Sequence, residues 1–352
     1  VRAVQALFAA FSWNCGFLPR FPVRMNPDPP VLRILRCAGC GALCRDGREL
    51  RLAAACGFAG PAVAYAPMRP DAAAEQLARE LGAVFVLDGP QVLPAFAPEA
   101  AVLLLRQQGP LRISGRPVMG APVSSAGMEE VELCRLAAGL HAGGTRTLGL
   151  GMSLGDLCMD EGFYPAVFAQ LAETAVRLRE KTGLTAKIFD LGGGFGVSCR
   201  PDCPGPDLSA CAEALRAQTC ALPEALQGVQ LSMSPGRFLG AGGGVLVCRV
   251  VAVKPGPTAV LDVSAAQCLR LEKRGAYHAA AALRTAGRPP LLQQLTTLEQ
   301  GAPFARQVLP QLRAGDPVVI RMLGADGRSF SCASERCPAY LLRADGTIEP
   351  IE

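Results

Sequence analysis

The sequence predicts an α/β chain that opens with a parallel sheet and closes with a mostly β unit. Three observations carry this. From about residue 20 to 240, short β-like runs alternate with longer helix-like ones, the order that βα units produce. After Gly244 the texture changes to short strand-like runs separated by Gly, Pro and Asp turns. At 352 residues the chain exceeds what one hydrophobic core usually serves. The expected domains are therefore residues 1–240 and 241–352.

The opening Val1 to Phe11 places one Arg before an apolar run. It imitates a signal peptide weakly, lacks a small-residue cleavage site and reads equally as a helix. The chain begins with Val rather than Met and is expected to be a fragment or processed product, truncated at its N-terminus. The strand candidates of the first part are Val84 to Leu87, Ala101 to Leu105, Thr147 to Met152, Lys187 to Leu191 and Val229 to Met233. Between them lie Asp71 to Leu81, Met128 to Leu140 and Tyr164 to Lys181, whose apolar residues recur at three and four and predict helices. This alternation suits a (β/α) barrel and a doubly wound sheet equally. Val245 to Val253, Ala259 to Val263, Pro317 to Met322 and Ala339 to Leu342 predict strands of the second unit. Gly256 to Gln307 mixes both textures and its pattern assigns it to neither.

Half the residues are apolar and 18% are charged, yet Pro, Gly or Arg interrupts every long apolar run, so no membrane span is expected and a cytoplasmic location is. The net charge of +5 comes from 35 basic residues scattered among 30 acidic ones, with only one Trp and four Tyr. That pattern argues against nucleic acid as a partner. The fifteen Cys are an odd number without the dense spacing of a disulfide-stapled domain, which predicts reduced thiols. Cys37, Cys40 and Cys44, with Cys56 beyond, contain the Cys-x-x-Cys spacing that often opens a zinc site. Cys37, however, ends an apolar helix-like run and no second pair follows, so no metal is expected.

The most specific element is Asp190-Leu191-Gly192-Gly193-Gly194-Phe195-Gly196, directly after an apolar strand. Glycines there let backbone N–H groups approach and cradle a phosphate. A tight turn needed only for folding gives the same pattern. Some forty residues on, Ser234-Pro235-Gly236-Arg237-Phe238 follows the next strand-like run. Together these resemble the phosphate loop and the Glu-Pro-Gly-Arg segment of the fold type III, alanine-racemase-like pyridoxal-phosphate (PLP) decarboxylases, which include ornithine and diaminopimelate decarboxylase. Phe21-Pro22-Val23-Arg24-Met25-Asn26 resembles that family's Tyr-Ala-Val-Lys-x-Asn strand. Gly41 to Leu52 resembles the element that follows it, and Gly315-Asp316 with Gly324-Ala325-Asp326 resembles its Gly-Asp…Gly-Ala-Tyr ending. Leu148 to Asp160 matches the ornithine decarboxylase and antizyme inhibitor version without a gap and keeps Cys158-x-Asp160. The resemblance implies a (β/α)8 TIM-like barrel followed by a β-barrel-like domain.

It also implies roles that this chain does not keep. Arg24 stands where the family has its Schiff-base lysine, and a guanidinium stays protonated and is a poor nucleophile toward an aldehyde. Ser153 stands at the histidine that stacks on the cofactor ring, and Ser234 at the glutamate that pairs with the pyridinium nitrogen. Asp156 and Asp326 replace a small hydroxyl residue and a Tyr at the phosphate, where each carboxylate within about 4 Å would add ~1 kcal/mol of repulsion even in water-like screening. Leu298 stands at the catalytic Cys. The residual cofactor site is Gly192, Gly193, Gly194 and Arg237, while Asp262 and Glu299 still offer acidic groups to a substrate.

From these losses the expected function is a catalytically inactive, regulatory homologue of polyamine metabolism that binds no PLP. Its expected partner is ornithine decarboxylase antizyme, and a homodimer is expected. The stretch near Ala74 to Ala101 that would meet antizyme is not basic, however: it holds Arg79 but also Glu75, Glu80, Asp88 and Glu99. The alternative is a PLP-dependent decarboxylase of ornithine or a related amino acid with weak activity.

Overall fold

The computed structural model describes residues 1–89, 102–109, 112–113, 116–117, 126–154, 158–198, 204–265, 267, 278–300, 305–325 and 337–351. It divides into two compact units, the first holding Val1–Gly196 and Pro206–Leu239, the second Val197–Gly205 and Gly240–Glu352.

In the first unit, helix α1 (Arg2–Ala10) leads into β1 (Leu18–Pro22), and α2 (Pro29–Cys37) into β2 (Gly41–Cys44). Next come α3 (Gly47–Ala55), β3 (Val63–Tyr65), α4 (Ala72–Glu80), β4 (Val84–Leu87) and β5 (Leu103–Gln107). A two-residue ribbon, β6 (Arg112–Ile113) with β7 (Arg116–Pro117), precedes α5 (Glu130–Ala142), β8 (Thr147–Met152), α6 (Phe163–Thr182) and β9 (Thr185–Asp190). The unit ends with α7 (Leu208–Cys220), β10 (Gln230–Met233) and α8 (Gly236–Gly240). Eight strands close in the order β1-β10-β9-β8-β5-β4-β3-β2. This decides between the two parallel architectures, because β1 pairs with β10 as well as with β2. A doubly wound sheet would leave two of its strands with a single partner each.

Strands covered on both faces read as nearly unbroken apolar runs, as in Val84–Leu87, where every residue is buried. The barrel interior is filled by Ala64, Val84, Val86 and Leu104, with Leu43 and Ile188 packed against them. Gly149 and Gly151 on β8 make room for this layer: a Cβ at Gly151 would lie 2.9 Å from the Leu104 side chain. Since side chains alternate along a strand, Arg106 shares the inward face of Leu104.

The outer helices are fixed by their caps and by packing. Asp46 accepts from the Glu49 amide at 2.8 Å to start α3, and Asp71 from the Ala74 amide at 3.1 Å to start α4. Phe168 of α6 meets Phe189 of β9 edge to face at 5.4 Å. Arg177 of α6 holds Glu130 of α5 with a bidentate pair at 2.9 and 2.8 Å. Asp207 accepts from both the Ser209 and Ala210 amides, at 2.9 and 3.0 Å, and starts α7. Replacing it leaves both donors to water, so Asp207→Ala is expected to lower stability by about 1 kcal/mol in a urea titration; an unchanged midpoint would show the cap to be idle.

The second unit contains β11 (Val245–Lys254), β12 (Thr258–Leu261), β13 (Ala280–Ala282), β14 (Pro290–Thr296), β15 (Ala305–Pro310) and β16 (Pro317–Arg321), then the hairpin β17 (Ala339–Leu342) and β18 (Ile348–Ile351). The six-stranded sheet runs β13-β16-β11-β12-β14-β15, antiparallel except for β12 with β14. Its core is Cys248, Val250, Leu261, Leu295, Val318, Ile320 and their neighbours. Among the described residues, no helix is long and apolar enough to cross a membrane.

The described cysteines are all free thiols, and no group of three or more candidate metal ligands occurs among the described residues. Cys40 is buried with its thiol 3.2 Å from the Pro19 carbonyl, Cys44 is buried in β2, and Cys37 is exposed. Titration of the unfolded, unreduced protein should count close to fifteen thiols. A count of only a few, with stability lost on reduction, would contradict the reduced state.

Candidate active site

A TIM-like barrel presents its chemistry at the C-terminal ends of its strands, and a cavity of about 100 Å³ lies there. It holds several water-sized groups. Most of the strands contribute from their last residues or just beyond. Arg24 sits in a single 3₁₀ turn, Val23–Met25, that follows β1. Arg45 follows β2, Arg106 lies near the end of β5, Ser153 follows β8, Gly192 to Gly194 follow β9 and Ser234 follows β10, with Arg237 in α8. The structure thus brings together Arg24, Ser153, Gly192, Gly193, Gly194, Ser234 and Arg237, all singled out from the sequence. Asp156 and Asp326 lie outside the described residues.

The glycine loop is held firmly. Gly192 has φ +70°, and a Cβ on it would stand 2.2 Å from the Met152 carbonyl oxygen. Its carbonyl accepts from the Ser234 amide at 2.7 Å and from the Tyr164 hydroxyl at 3.3 Å. Its amide donates to Asp190 at 3.3 Å, which also accepts from the Ser232 hydroxyl at 3.1 Å. A Cβ on Gly193 would stand 2.9 Å from the Ser234 carbonyl oxygen. Close packing against neighbouring backbone thus requires glycine at 192 and 193, and with the Gly192 amide engaged by Asp190 the loop's remaining amides are those suited to an anion.

The opposite character of the pocket is its charge. Four arginines line it, with no carboxylate and no lysine among the described lining residues. Arg106 is nearly buried and donates to Asp88 at 2.7 Å. Glu49 accepts from the Arg45 backbone amide at 2.8 Å, and burial raises its pKa. Burial, with the like charges of Arg24 and Arg106 beside it, pulls the Arg45 guanidinium down to about 10. Among the described residues, the buried Nε atoms of Arg24 and Arg106 have no hydrogen-bond acceptor.

Arg45, Arg106 and Asp88 were not among the residues singled out from the sequence as site residues. A signal for Arg106 exists: a lone Arg in the apolar run Leu103–Gln107. Asp88, expected on an antizyme-facing surface, is instead the counter-ion of Arg106, and Glu75 from the same stretch is buried. Glu99 lies outside the described residues. Asp262, Leu298 and Glu299 belong to the second unit. Asp262 accepts from the Arg249 amide at 2.6 Å, Glu299 from the Ala265 amide at 2.7 Å, and Leu298 is 47% exposed.

A covalently held pyridoxal group does not fit these residues, although its phosphate end does. The chain has four lysines. Lys181 and Lys187 are exposed on α6 and β9, Lys254 bonds Gln300 in the second unit, and Lys273 lies outside the described residues. No amine among the described lining residues can attack an aldehyde.

Comparison with known proteins places this architecture. The family model described as pyridoxal-dependent decarboxylase, pyridoxal binding domain, matches residues 1–241. Protein TabA of Pseudomonas amygdali pv. tabaci is 28% identical over 343 residues, covering 94% of this chain and 81% of that protein. Diaminopimelate decarboxylase of Deinococcus radiodurans is 28% identical over 326 residues, 88% of this chain and 79% of that protein. Among solved structures, the diaminopimelate decarboxylase of M. jannaschii superposes with a TM-score of 0.85 at 18% identity, covering 99% of this chain and 86% of that one. The lysine/ornithine decarboxylase of Vibrio vulnificus gives 0.77 at 20% identity, over 94% and 86%.

Proposed function

This chain belongs to the pyridoxal-dependent decarboxylase family, and from that premise we propose that its barrel pocket binds a phosphate-bearing small molecule reversibly, without decarboxylating it. The observation that carries the reading is Arg24 in the cavity wall with no lysine among the described lining residues. Family chemistry depends on an amine that attacks the cofactor's aldehyde and on groups that tune its ring. Arg24 offers neither, and Ser153 and Ser234 lack the aromatic and carboxylate groups expected at their positions. What remains suits an anion: glycine backbone after β9 and a cationic wall.

Of the function expected from sequence, membership of the pyridoxal-dependent decarboxylase family stands, and the absence of catalysis belongs to this proposal. The ornithine decarboxylase and antizyme inhibitor branch draws on Leu148 to Asp160 alone, whereas the relatives named above at the sequence level include a diaminopimelate decarboxylase. The test is a titration with pyridoxal phosphate followed by absorbance, in competition with inorganic phosphate. The reading expects saturable binding that phosphate displaces, with no shift toward a visible band and no carbon dioxide released from diaminopimelate, lysine or ornithine. Turnover of any of the three by the unmodified protein would overturn it.

A further inference from the structure

We propose that the pocket selects a doubly anionic ligand: a phosphate monoester that also carries a carboxylate, the phosphate at Gly192 to Gly194 and Arg237 and the carboxylate against Arg24 and Arg45. This rests on the reading above and names the class of ligand.

One phosphate does not account for the cations present. Four arginines line the cavity, and among the described residues the carboxylates of Glu49 and Asp88 offset part of the charge on Arg45. Asp88 holds Arg106, Glu49 is tied to the Arg45 backbone amide, and Asp190 is bonded to the Gly192 amide and the Ser232 hydroxyl. The like charges of Arg24 and Arg106 both act on Arg45. Among the described residues two carboxylates, Asp88 and Glu49, answer these three cations, and the like-charge repulsion that is left favours a further anion among them.

The orphaned donors point the same way. The Nε atoms of Arg24 and Arg106 are buried without an acceptor among the described residues, and an unmade hydrogen bond from a buried group is costly. A carboxylate suits this wall because a guanidinium fork grips its two oxygens in parallel. An aldehyde, neutral and a weak acceptor, gains far less and finds no amine to react with. Arg24 and Arg45 both follow strands that pair with each other, β1 and β2, so their side chains rise from neighbouring positions on the barrel rim.

Calorimetric titration of the full chain tests this with five probes: inorganic phosphate, pyridoxal phosphate, its analogue with a carboxylate in place of the aldehyde, phosphoglycolate, and a sugar bisphosphate. The carboxylate analogue is expected to bind about tenfold or more tightly than pyridoxal phosphate, as one charge-assisted pair implies, and phosphoglycolate more tightly than inorganic phosphate. Arg24→Gln and Arg45→Gln should each remove most of that advantage, weakening the carboxylate analogue far more than inorganic phosphate. Equal affinity for aldehyde and carboxylate analogues would overturn the inference while leaving phosphate binding in place, and so would a bisphosphate that outbinds both acids. No binding by any probe would overturn both readings. The ranking of probes on the unmodified protein decides the matter even where a variant fails to fold.

Discussion

Arg24→Lys is expected to leave the protein inactive as a decarboxylase. The substitution returns an amine to the one place in the barrel where the family resemblance puts its nucleophile, and the neighbouring Arg45 and Arg106 would lower that amine's pKa and favour its reactive form. A covalent adduct with pyridoxal phosphate is therefore expected in this variant. Turnover is not. Ser234 cannot supply the carboxylate that keeps the ring nitrogen charged, Ser153 cannot stack on the ring, and the carbanion-stabilising work of the cofactor depends on both. Adding Ser153→His and Ser234→Glu should raise the rate more than a hundredfold over Arg24→Lys alone, about the low end of what one positioned ionisable group contributes. The gains should exceed the sum of single steps, because these groups surround one ligand. The readout is carbon dioxide release from diaminopimelate, lysine and ornithine. Arg24→Lys turning over any of them at the rate of the triple variant would show that the two serines are not the losses they are taken to be.

Gly192→Ala is expected to cost more stability than any other single methyl addition at the site. Its φ of +70° alone costs a non-glycine residue about 1–3 kcal/mol, and the new Cβ would lie 2.2 Å from the Met152 carbonyl oxygen. Neither side can yield cheaply: Met152 ends a barrel strand, and the Gly192 carbonyl is held by Ser234 and Tyr164. Thermal melts should fall by several degrees and saturable phosphate binding should be lost. Gly139→Ala is the control, since Gly139 lies inside α5 with nothing within 4 Å of a built Cβ. It should hold or raise stability by up to about 1 kcal/mol, the helix preference of Ala over Gly. Equal melting of the two variants would mean that the loop is not fixed as described.

Most of the fold is legible in the sequence, and the reasons for the exceptions are physical. Val84–Leu87, Thr147–Met152 and Ala339–Leu342 are strands with the predicted ends, because apolar runs bounded by polar or turn residues leave little freedom. Barrel closure is not legible from periodicity, since it depends on Leu18 and Pro19 pairing with Ser232 and Met233 far along the chain. The resemblance supplied it. Gly256 to Gln307 resisted assignment because its strands break the alternation rule. β14 begins with Pro290, Leu291 and Leu292 exposed and buries the polar Gln293, whose amide is satisfied by the Leu309 and Pro310 carbonyls and the Leu312 amide. At the site, the positions that resemble the family motifs were found and the new cations were not. Arg45 and Arg106 acquire meaning only when the barrel carries them to one rim.

The central claim is that Arg24 has replaced covalent cofactor chemistry with reversible anion binding, and borohydride reduction after incubation with pyridoxal phosphate, followed by peptide mapping, addresses it most directly. The account predicts no label on the peptide containing Arg24 or on any other segment lining the pocket, while phosphate-displaceable binding persists before reduction. A stoichiometric label on a lysine, accompanied by release of carbon dioxide from diaminopimelate or ornithine, would contradict it.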